Sequence, residues 1–403
     1  MAHNYYQQPG GEDEVFSSEA QILESSGHNV VRYTLHNDRV REMGRLSLVG
    51  ATFWNRRVYS EVRELVRRHR AQVVHFHNTF PLISPAAYKA AHAEGAAVVQ
   101  TLHNFRLLCT NAVLFRDGQV CERCIGKAVA WPGVVNTCYR GSRGASAVVA
   151  AAMATHRLIG TWNRSVDLFI TPSAFARQKL VEGGLPAEKI VVKPNCVHPD
   201  PGCGNGRGGY AVFVGRLSPE KGLRTLLRAW SQLAQLYPLK IIGDGELAPM
   251  VQEAAARSGP IEWLGRQSAT QVSEIVGEAS FLVLPSECYE TFGRVIIEAF
   301  AKGTPAIASQ LGAIPELVEP GKTGLLFRPG DANNLAAQVQ AILNDPARLA
   351  CMRRAARAAF IGRYSGRRNS EELTSIYERA IAGLRKTTES GALSPAQAVE
   401  GMI

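Results

Sequence analysis

Short runs of β-branched and apolar residues alternate with amphipathic helical stretches along almost the whole chain. In the first half, Val30–Leu35, Val73–His77, Ala97–Leu102, Leu168–Thr171 and Ile190–Lys193 read as strands. In the second, Ala211–Val214, Leu239–Ile242, Ile261–Leu264, Phe281–Leu284, Pro305–Ala308 and Gly324–Phe327 do so. Helical periodicity fills the gaps, as in Glu14–Ser25, Ser84–Glu94, Leu223–Leu236, Leu247–Arg257 and Val272–Glu278. Strands joined by helices of this length predict βαβ units and parallel sheets. Eleven strands are too many for one ordinary doubly wound sheet. The expected fold class is therefore α/β, built as two Rossmann-like domains.

The break between them falls at Pro201-Gly-Cys-Gly-Asn-Gly-Arg-Gly-Gly209, which is glycine-rich, without apolar period, and so expected to be a flexible hinge. This puts an N-terminal domain at 1–198 and a C-terminal domain at 199–365. A helix at 366–385 is expected to pack back toward the first domain, followed by a frayed tail at 386–403. Two glycine motifs do not qualify as phosphate loops. Gly204, Gly206 and Gly209 spell G-x-G-x-x-G, but they precede a strand instead of following one. Gly321-Lys322-Thr323 ends like a P-loop, but Glu316 stands where its first glycine belongs.

The composition of the 403 residues, 46% hydrophobic and 20% charged, supplies real cores and excludes disorder as the main state. The longest apolar run, Ala145 to Thr155, is short of the ~20 residues of a membrane span. No basic start followed by an apolar stretch opens the chain, so a cytoplasmic protein without a secretory leader is expected. A net charge of +10 favours anionic partners. Nucleic acid is not among those expected, because aromatics make up only 7% and no nucleic-acid-binding motif occurs. Arg56, Arg57, Arg63, Arg67, Arg68 and Arg70 crowd a stretch whose Val58, Val62, Leu65 and Val66 recur at helical spacing. Such a helix either lies on an anionic membrane, giving peripheral contact, or presents an ordinary solvated face.

Chemistry concentrates in the second half. In Val212-Phe-Val-Gly-Arg-Leu-Ser-Pro-Glu-Lys-Gly222 a strand ends, Gly215 turns the chain, and Arg216 and Lys221 follow near the carboxyl edge of a sheet. Open α/β folds bind ligands there, and two fixed cations suit a diphosphate. Pro285-Ser-Glu-Cys-Tyr-Glu-Thr-Phe-Gly-Arg-Val-Ile-Ile-Glu298 also leaves a strand and enters a helix. Thr291, Phe292 and Gly293 offer backbone N–H groups at the helix start, an anion site. Glu290 and Glu298, with seven residues between them, can meet different parts of one extended ligand, each accepting bonds from vicinal hydroxyls.

These two runs, followed by Gly303-Thr-Pro-Ala-Ile-Ala-Ser, resemble the retaining glycosyltransferases of family 4 with the GT-B fold, in which two Rossmann-like domains face each other across a cleft. The first half resembles them more loosely, in Gly10-Gly11 before a helix and Thr101-Leu-His103-Asn104 ending a strand. The resemblance implies that Arg216 and Lys221 hold the nucleotide diphosphate, Glu298 the ribose, and Glu290 the transferred sugar. It implies backbone contacts from Gly215, Thr291, Phe292 and Gly293, close approach of the nucleotide at Gly243 and Gly245, and binding of the base at Gly265. Gly10 and Gly11 would close over the donor, and His103 would bond the sugar or its developing charge. No Asp-x-Asp pair occurs in the sequence, so no catalytic cofactor is expected. The implied activity is retaining transfer of a hexose from a UDP- or GDP-linked sugar to a glycan or lipid-linked acceptor. A GT-B sugar-nucleotide epimerase and a non-catalytic sugar-nucleotide-binding module stay open as alternatives.

Two features depart from the family pattern. Only Met1-Ala2 precede His3-Asn4-Tyr5-Tyr6, so the usual apolar first strand is expected to be missing. At about 105–140 the βα rhythm stops, and Cys109, Cys121, Cys124 and Cys138 follow in a C-x11-C-x2-C-x13-C spacing. A structural zinc site is the favoured reading, over disulfides or unpaired buried thiols.

Overall fold

The computed structural model describes residues 1–7, 10–233, 237–257 and 259–392, with side chains through residue 386. The expected tail and the end of the Leu223–Leu236 stretch lie largely outside these. Two six-stranded parallel sheets carry the fold. The first runs, in spatial order, Tyr33–His36, Ala2–Tyr5, Val73–Phe76, Ala97–Thr101, Leu168–Thr171 and Ile190–Val192. The second runs Ile261–Gly265, Leu239–Ile242, Ala211–Val214, Phe281–Leu284, Ala306–Ser309 and Gly324–Phe327. Strand order reverses between Ala2–Tyr5 and Val73–Phe76 in one sheet and between Ala211–Val214 and Phe281–Leu284 in the other. At such switch points the loops leaving neighbouring strands diverge and open a crevice.

Helices cover both faces because the strands are apolar on both. Phe213 and Phe281 are wholly buried in the second sheet, each contributing about 1.5–3 kcal/mol by burial. The closing helix, Gly366–Ala392, lays Leu373, Ile376 and Ala380 against Ala97, Val99, Leu168 and Ile170 of the first sheet. Among the described residues no helix is long and apolar enough to cross a membrane.

Three expectations need correction. The first strand is present: Ala2–Tyr5 pairs in parallel with Tyr33–His36 and meets Val73–Phe76 through Ala2 and Phe76. Its polar residues are buried but partnered, His3 Nε2 lying 2.7 Å from Asp13 and Asn4 donating to Asn37 Oδ1 and to Phe80 O at 2.8 Å. The apolar pattern therefore did not reveal it.

The glycine-rich segment is not a loose hinge. Gly204, Gly206 and Gly208 donate backbone bonds to Lys302, Gly277 and Glu278, and Arg353 donates to Gly204 O at 3.2 Å. Its glycines serve close packing on the second domain, and the domain crossings sit side by side where Val197 bridges Ser365.

The basic helix, Arg56–His69, does not have a free apolar face. Val58, Val62 and Val66 are buried in the first domain's core, so lipid contact through this helix has only its arginines to use.

Candidate active site

Loops from both switch points meet across the cleft. In the second domain the chain leaves Ala211–Val214, turns at Gly215, forms a short 3-10 turn at Pro219–Lys221, and enters the helix Leu223–Leu233. Gly222, at φ +69°, lies so close to the next loop that a Cβ would collide with the carbonyl of Pro285. That approach aims Lys221 at the loop after Phe281–Leu284. Its Nζ lies 2.6 Å from Glu290 Oε1, which also accepts from Ser286 Oγ at 2.6 Å. Their side chains are 18% and 15% exposed. Burial alone would raise the Glu290 carboxyl, but the Lys221 charge and the two hydrogen bonds outweigh it and hold the group below the usual carboxylate range. Burial likewise opposes the Lys221 charge, and Glu290 more than compensates, leaving it above the usual lysine range. Arg216, 60% exposed, stands beside them at 3.3 Å from Glu220.

Glu290 leads into Thr291, buried Phe292 and Gly293, which caps the helix Arg294–Ala301 at φ +89°. Glu298, one turn into that helix, lies 3.0 Å from Arg294. Thr291 also joins the domains, since its Oγ1 donates to His103 O at 2.8 Å and its carbonyl accepts from Ser173 Oγ at 2.6 Å. Gly243 and Gly265 come from the loops after neighbouring strands, and Gly243 N–H donates to Gly265 O at 2.8 Å. A Cβ on Gly243 would strike the carbonyl of Gly215, and one on Gly245 would crowd that of Leu217. These glycines thus let the loops pack on each other, a need that exists before any nucleotide arrives.

From the first domain come Gly10 and Gly11, at the start of the helix Gly11–Ser25, and His103 beyond Ala97–Thr101. Gly10 N–H donates to Asp13 at 2.8 Å. A Cβ on Gly11 would lie 3.8 Å from Arg294 Cδ, so the glycine pair faces the start of the second domain's helix. Burial, with help from His3, Lys193 and Arg294, lowers the His103 imidazole to about 3.

Two residues of the cleft escaped the sequence reading. Arg294 occupies the first turn of its helix, where the dipole repels a cation, and its Nε is buried without a partner. That unfavourable placement was a readable signal. Glu12 has a buried, unpartnered Oε2, and burial together with Asp13 pushes its carboxyl up to about 8, against the pull of Arg106 and Arg216. Nothing in its spacing marked it.

The four cysteines of the insertion line one small cavity, two of them, Cys109 and Cys124, being buried. All eight cysteines are free thiols, which leaves out the disulfide reading. No three of the four sulfurs come within 4.8 Å of one another. Zinc–sulfur bonds of ~2.3 Å need them closer, so a metal bound there would have to draw the sulfurs together.

Comparison with known proteins covers both halves. The description "Glycosyl transferase 4-like domain" matches residues 10–196 and "Glycosyl transferases group 1" matches residues 208–345. Glycogen synthase of Mycobacterium tuberculosis is 32% identical over 181 residues, 43% of this chain and 44% of that enzyme. D-inositol 3-phosphate glycosyltransferase of Segniliparus rotundus is 32% identical over 201 residues, 47% of this chain and 42% of that enzyme. The chain thus spans under half the length of these curated relatives. Sucrose-phosphate synthase from Thermosynechococcus elongatus shares the fold at TM-score 0.69 and 18% identity, over 94% of this chain and 98% of that one. Anabaena HepE, crystallised in complex with UDP, does so at TM-score 0.65 and 18% identity, over 93% and 98%. With both domains matched and their facing parallel sheets described, the chain belongs to the group 1, family-4-like glycosyltransferases of the GT-B fold.

Proposed function

We propose that this protein moves a hexose from a UDP- or GDP-linked sugar to a lipid-linked or glycan acceptor, with retention at the anomeric carbon. The observation that carries this reading is the Lys221–Glu290 pair at the second sheet's switch point. Arg216 and the amides at the start of Arg294–Ala301 stand beside it, and Gly11 and His103 face it. As the bond from the anomeric carbon to the diphosphate oxygen breaks, negative charge grows on the leaving group. Lys221 and Arg216 stabilise that charge where it forms, an effect typically worth several kcal/mol. The acceptor oxygen bonds the same carbon, and its proton passes to the diphosphate. Glu290 orients the sugar, and Glu298 the ribose. HepE's capture with UDP supports a uridine donor.

A cavity of 480 Å³ in the first domain supports an acceptor that is both apolar and anionic. Leu48, Val49, Phe80 and Val149 line it, with Arg45 and Arg140 beside them. Arg106 stacks on Phe80 at 4.7 Å and on Tyr139, also in the lining, at 5.2 Å. The charges of Arg106 and of Arg216 both act on the Glu12 carboxyl. A polyprenyl-phosphate-like chain suits such a lining.

The test is incubation with UDP- and GDP-hexoses and either a lipid-phosphate or a free-glycan acceptor, following nucleotide release. The anomeric configuration of the product is then read by NMR. Acceptor-dependent release with a retained anomer is expected. Epimerised nucleotide-sugar without glycoside, or binding without release, would reject transfer.

A further inference from the structure

Behind His103 the first domain buries an array of polar groups that packing alone does not call for. Glu19, on the helix Gly11–Ser25, and Lys193, just past Ile190–Val192, form a 2.7 Å ion pair with side chains 1% exposed. Lys193 holds Oε1 of Glu19. The other oxygen, Oε2, has no hydrogen-bond partner and lies 3.5 Å from His77 Nε2, which is also buried and unpartnered. On its other side, His77 Nδ1 lies 3.0 Å from His103 Nε2, and the two rings stack at 5.2 Å. His103 Nδ1 takes no partner from the described residues and is not among the buried atoms left without one. That nitrogen is therefore neither fully buried nor engaged by a described residue.

The hydrogens in this row follow from the chemistry of its ends. No hydrogen bond joins Glu19 Oε2 to His77 Nε2, but a carboxylate oxygen only accepts, and its charge 3.5 Å away favours the hydrogen on that nitrogen of His77. A neutral His77 then has a lone pair on Nδ1 and accepts from His103. His103 must donate through Nε2, which leaves a lone pair on its Nδ1. We propose that Glu19 and His77 are positioning residues that hold His103 as the Nε2–H tautomer, so that Nδ1 meets a donor-sugar hydroxyl as a hydrogen-bond acceptor. This assignment rests on the transfer reading above for its ligand, but not for its geometry. The burial that keeps the His103 imidazole neutral supports it. A positive His103 answering developing charge, one of the roles the family resemblance allowed, does not fit.

Glu19, His75 and His77 also bring potential metal-ligand atoms within 4.8 Å of one another. That use competes with what the groups already do. Lys193 sits on the carboxylate. His75 spends Nδ1 on Tyr377 Oη at 2.7 Å and Nε2 on Thr101 Oγ1 at 2.8 Å.

The decisive variant is Glu19→Gln, which keeps shape but puts an NH2 opposite His77. Its amide oxygen stays on Lys193, so both tautomers invert and His103 Nδ1 becomes a donor. Nitrogen-15 NMR of the imidazoles, taken on the full chain without substrate, should show His103 as Nε2–H in the parent and Nδ1–H in the variant. Transfer should slow roughly two- to twelve-fold, the worth of one neutral hydrogen bond, with UDP affinity unchanged. If Glu19→Gln does not fold, His77→Phe keeps a ring beside Phe16 and removes the link. There the His103 tautomers should mix, with a similar loss of rate. An unchanged His103 tautomer in the variant would overturn the proposal, as would a stoichiometric metal that Glu19→Gln releases. Because the spectra need no turnover, they decide the relay even if the donor screen rejects transfer.

Discussion

Acid is expected to unfold the first domain steeply, because three histidines in one cluster are held neutral. His75 and His77 are pushed well below the ordinary 6.5 by burial, and His103 to about 3. The surrounding charges add to this. Lys193 bears on all three, the chain's amino terminus on His75, His3 on His77 and His103, and Arg294 on His103. The carboxylate in reach, Glu19, is already engaged by Lys193, and Tyr377 and Thr101 offer only neutral hydroxyls. A base whose folded pKa is depressed binds its proton more readily in the unfolded chain. Its contribution is therefore intact above pH 6.5 and lost as pH falls toward the folded value. Each imidazole withheld from protonation costs up to about 1.4 kcal/mol per pH unit, so the three set a limiting slope of about 4 kcal/mol per unit. Against a typical stability of ~5–15 kcal/mol, the native state is exhausted within about one to four units below 6.5. Urea midpoints between pH 7.5 and 4.5, followed by circular dichroism, measure the slope. His75→Phe should lower stability at neutral pH but flatten the slope by about one third. A midpoint unchanged between pH 7 and 5, or a slope of one proton or less, would refute the reasoning.

On the transfer reading, Lys221→Met should lower kcat/KM by about 100- to 1,000-fold, since it would remove a cation that the reading assigns to the leaving group. Steady-state kinetics with the donor found in the screen checks it, and unchanged kinetics would dispose of the clamp. Gly222→Ala should destabilise the second domain by at least about 1–2 kcal/mol, because a Cβ is strained at φ +69° and strikes the Pro285 carbonyl. A shifted urea midpoint together with weakened nucleotide binding is the expected readout. For the four-cysteine lobe we propose structural zinc that draws the thiolates inward on binding. Elemental analysis after purification without chelator should find about one equivalent, and less than half would reject it.

The strand–helix rhythm was legible because buried parallel strands are apolar on both faces and so read as unbroken runs. Ala211–Val214 and Phe281–Leu284 appear in the sequence with the bounds that they have in space. Ala2–Tyr5 was illegible for the opposite reason. His3 and Asn4 are buried through partners at Asp13, Asn37 and Phe80, up to 76 residues away, which no local pattern records. Lys221, Glu290 and Glu298 were found through motifs of short spacing. Glu19, His77 and Lys193 were not, because their relation is made by three separate elements of one sheet and its covering helix. The linker misled because glycine is used both where a chain must flex and where backbones must nearly touch, and composition does not distinguish the two.

The clasp across the cleft follows the same logic. Ser173 donates to Thr291 O, Thr291 donates to His103 O, and Glu316 accepts from the N–H groups of Ala174 and Phe175 at 2.8 and 2.7 Å. Neutral bonds of this kind are worth about 0.5–1.5 kcal/mol each, and a carboxylate at a helix start about 0.3–1 kcal/mol, so the clasp amounts to a few kcal/mol. A ligand shifts an equilibrium only by its differential affinity for the two states, so one that opens or closes this clasp must differ in affinity for them by a few kcal/mol. Thr291 is the residue on which these demands converge. It carries two of the cross-domain bonds and precedes the amides at the start of Arg294–Ala301. The loop Glu290-Thr291-Phe292-Gly293 thus both bonds the first domain and leads into those amides, so the run that reads as a donor motif in the sequence also ties the two domains together.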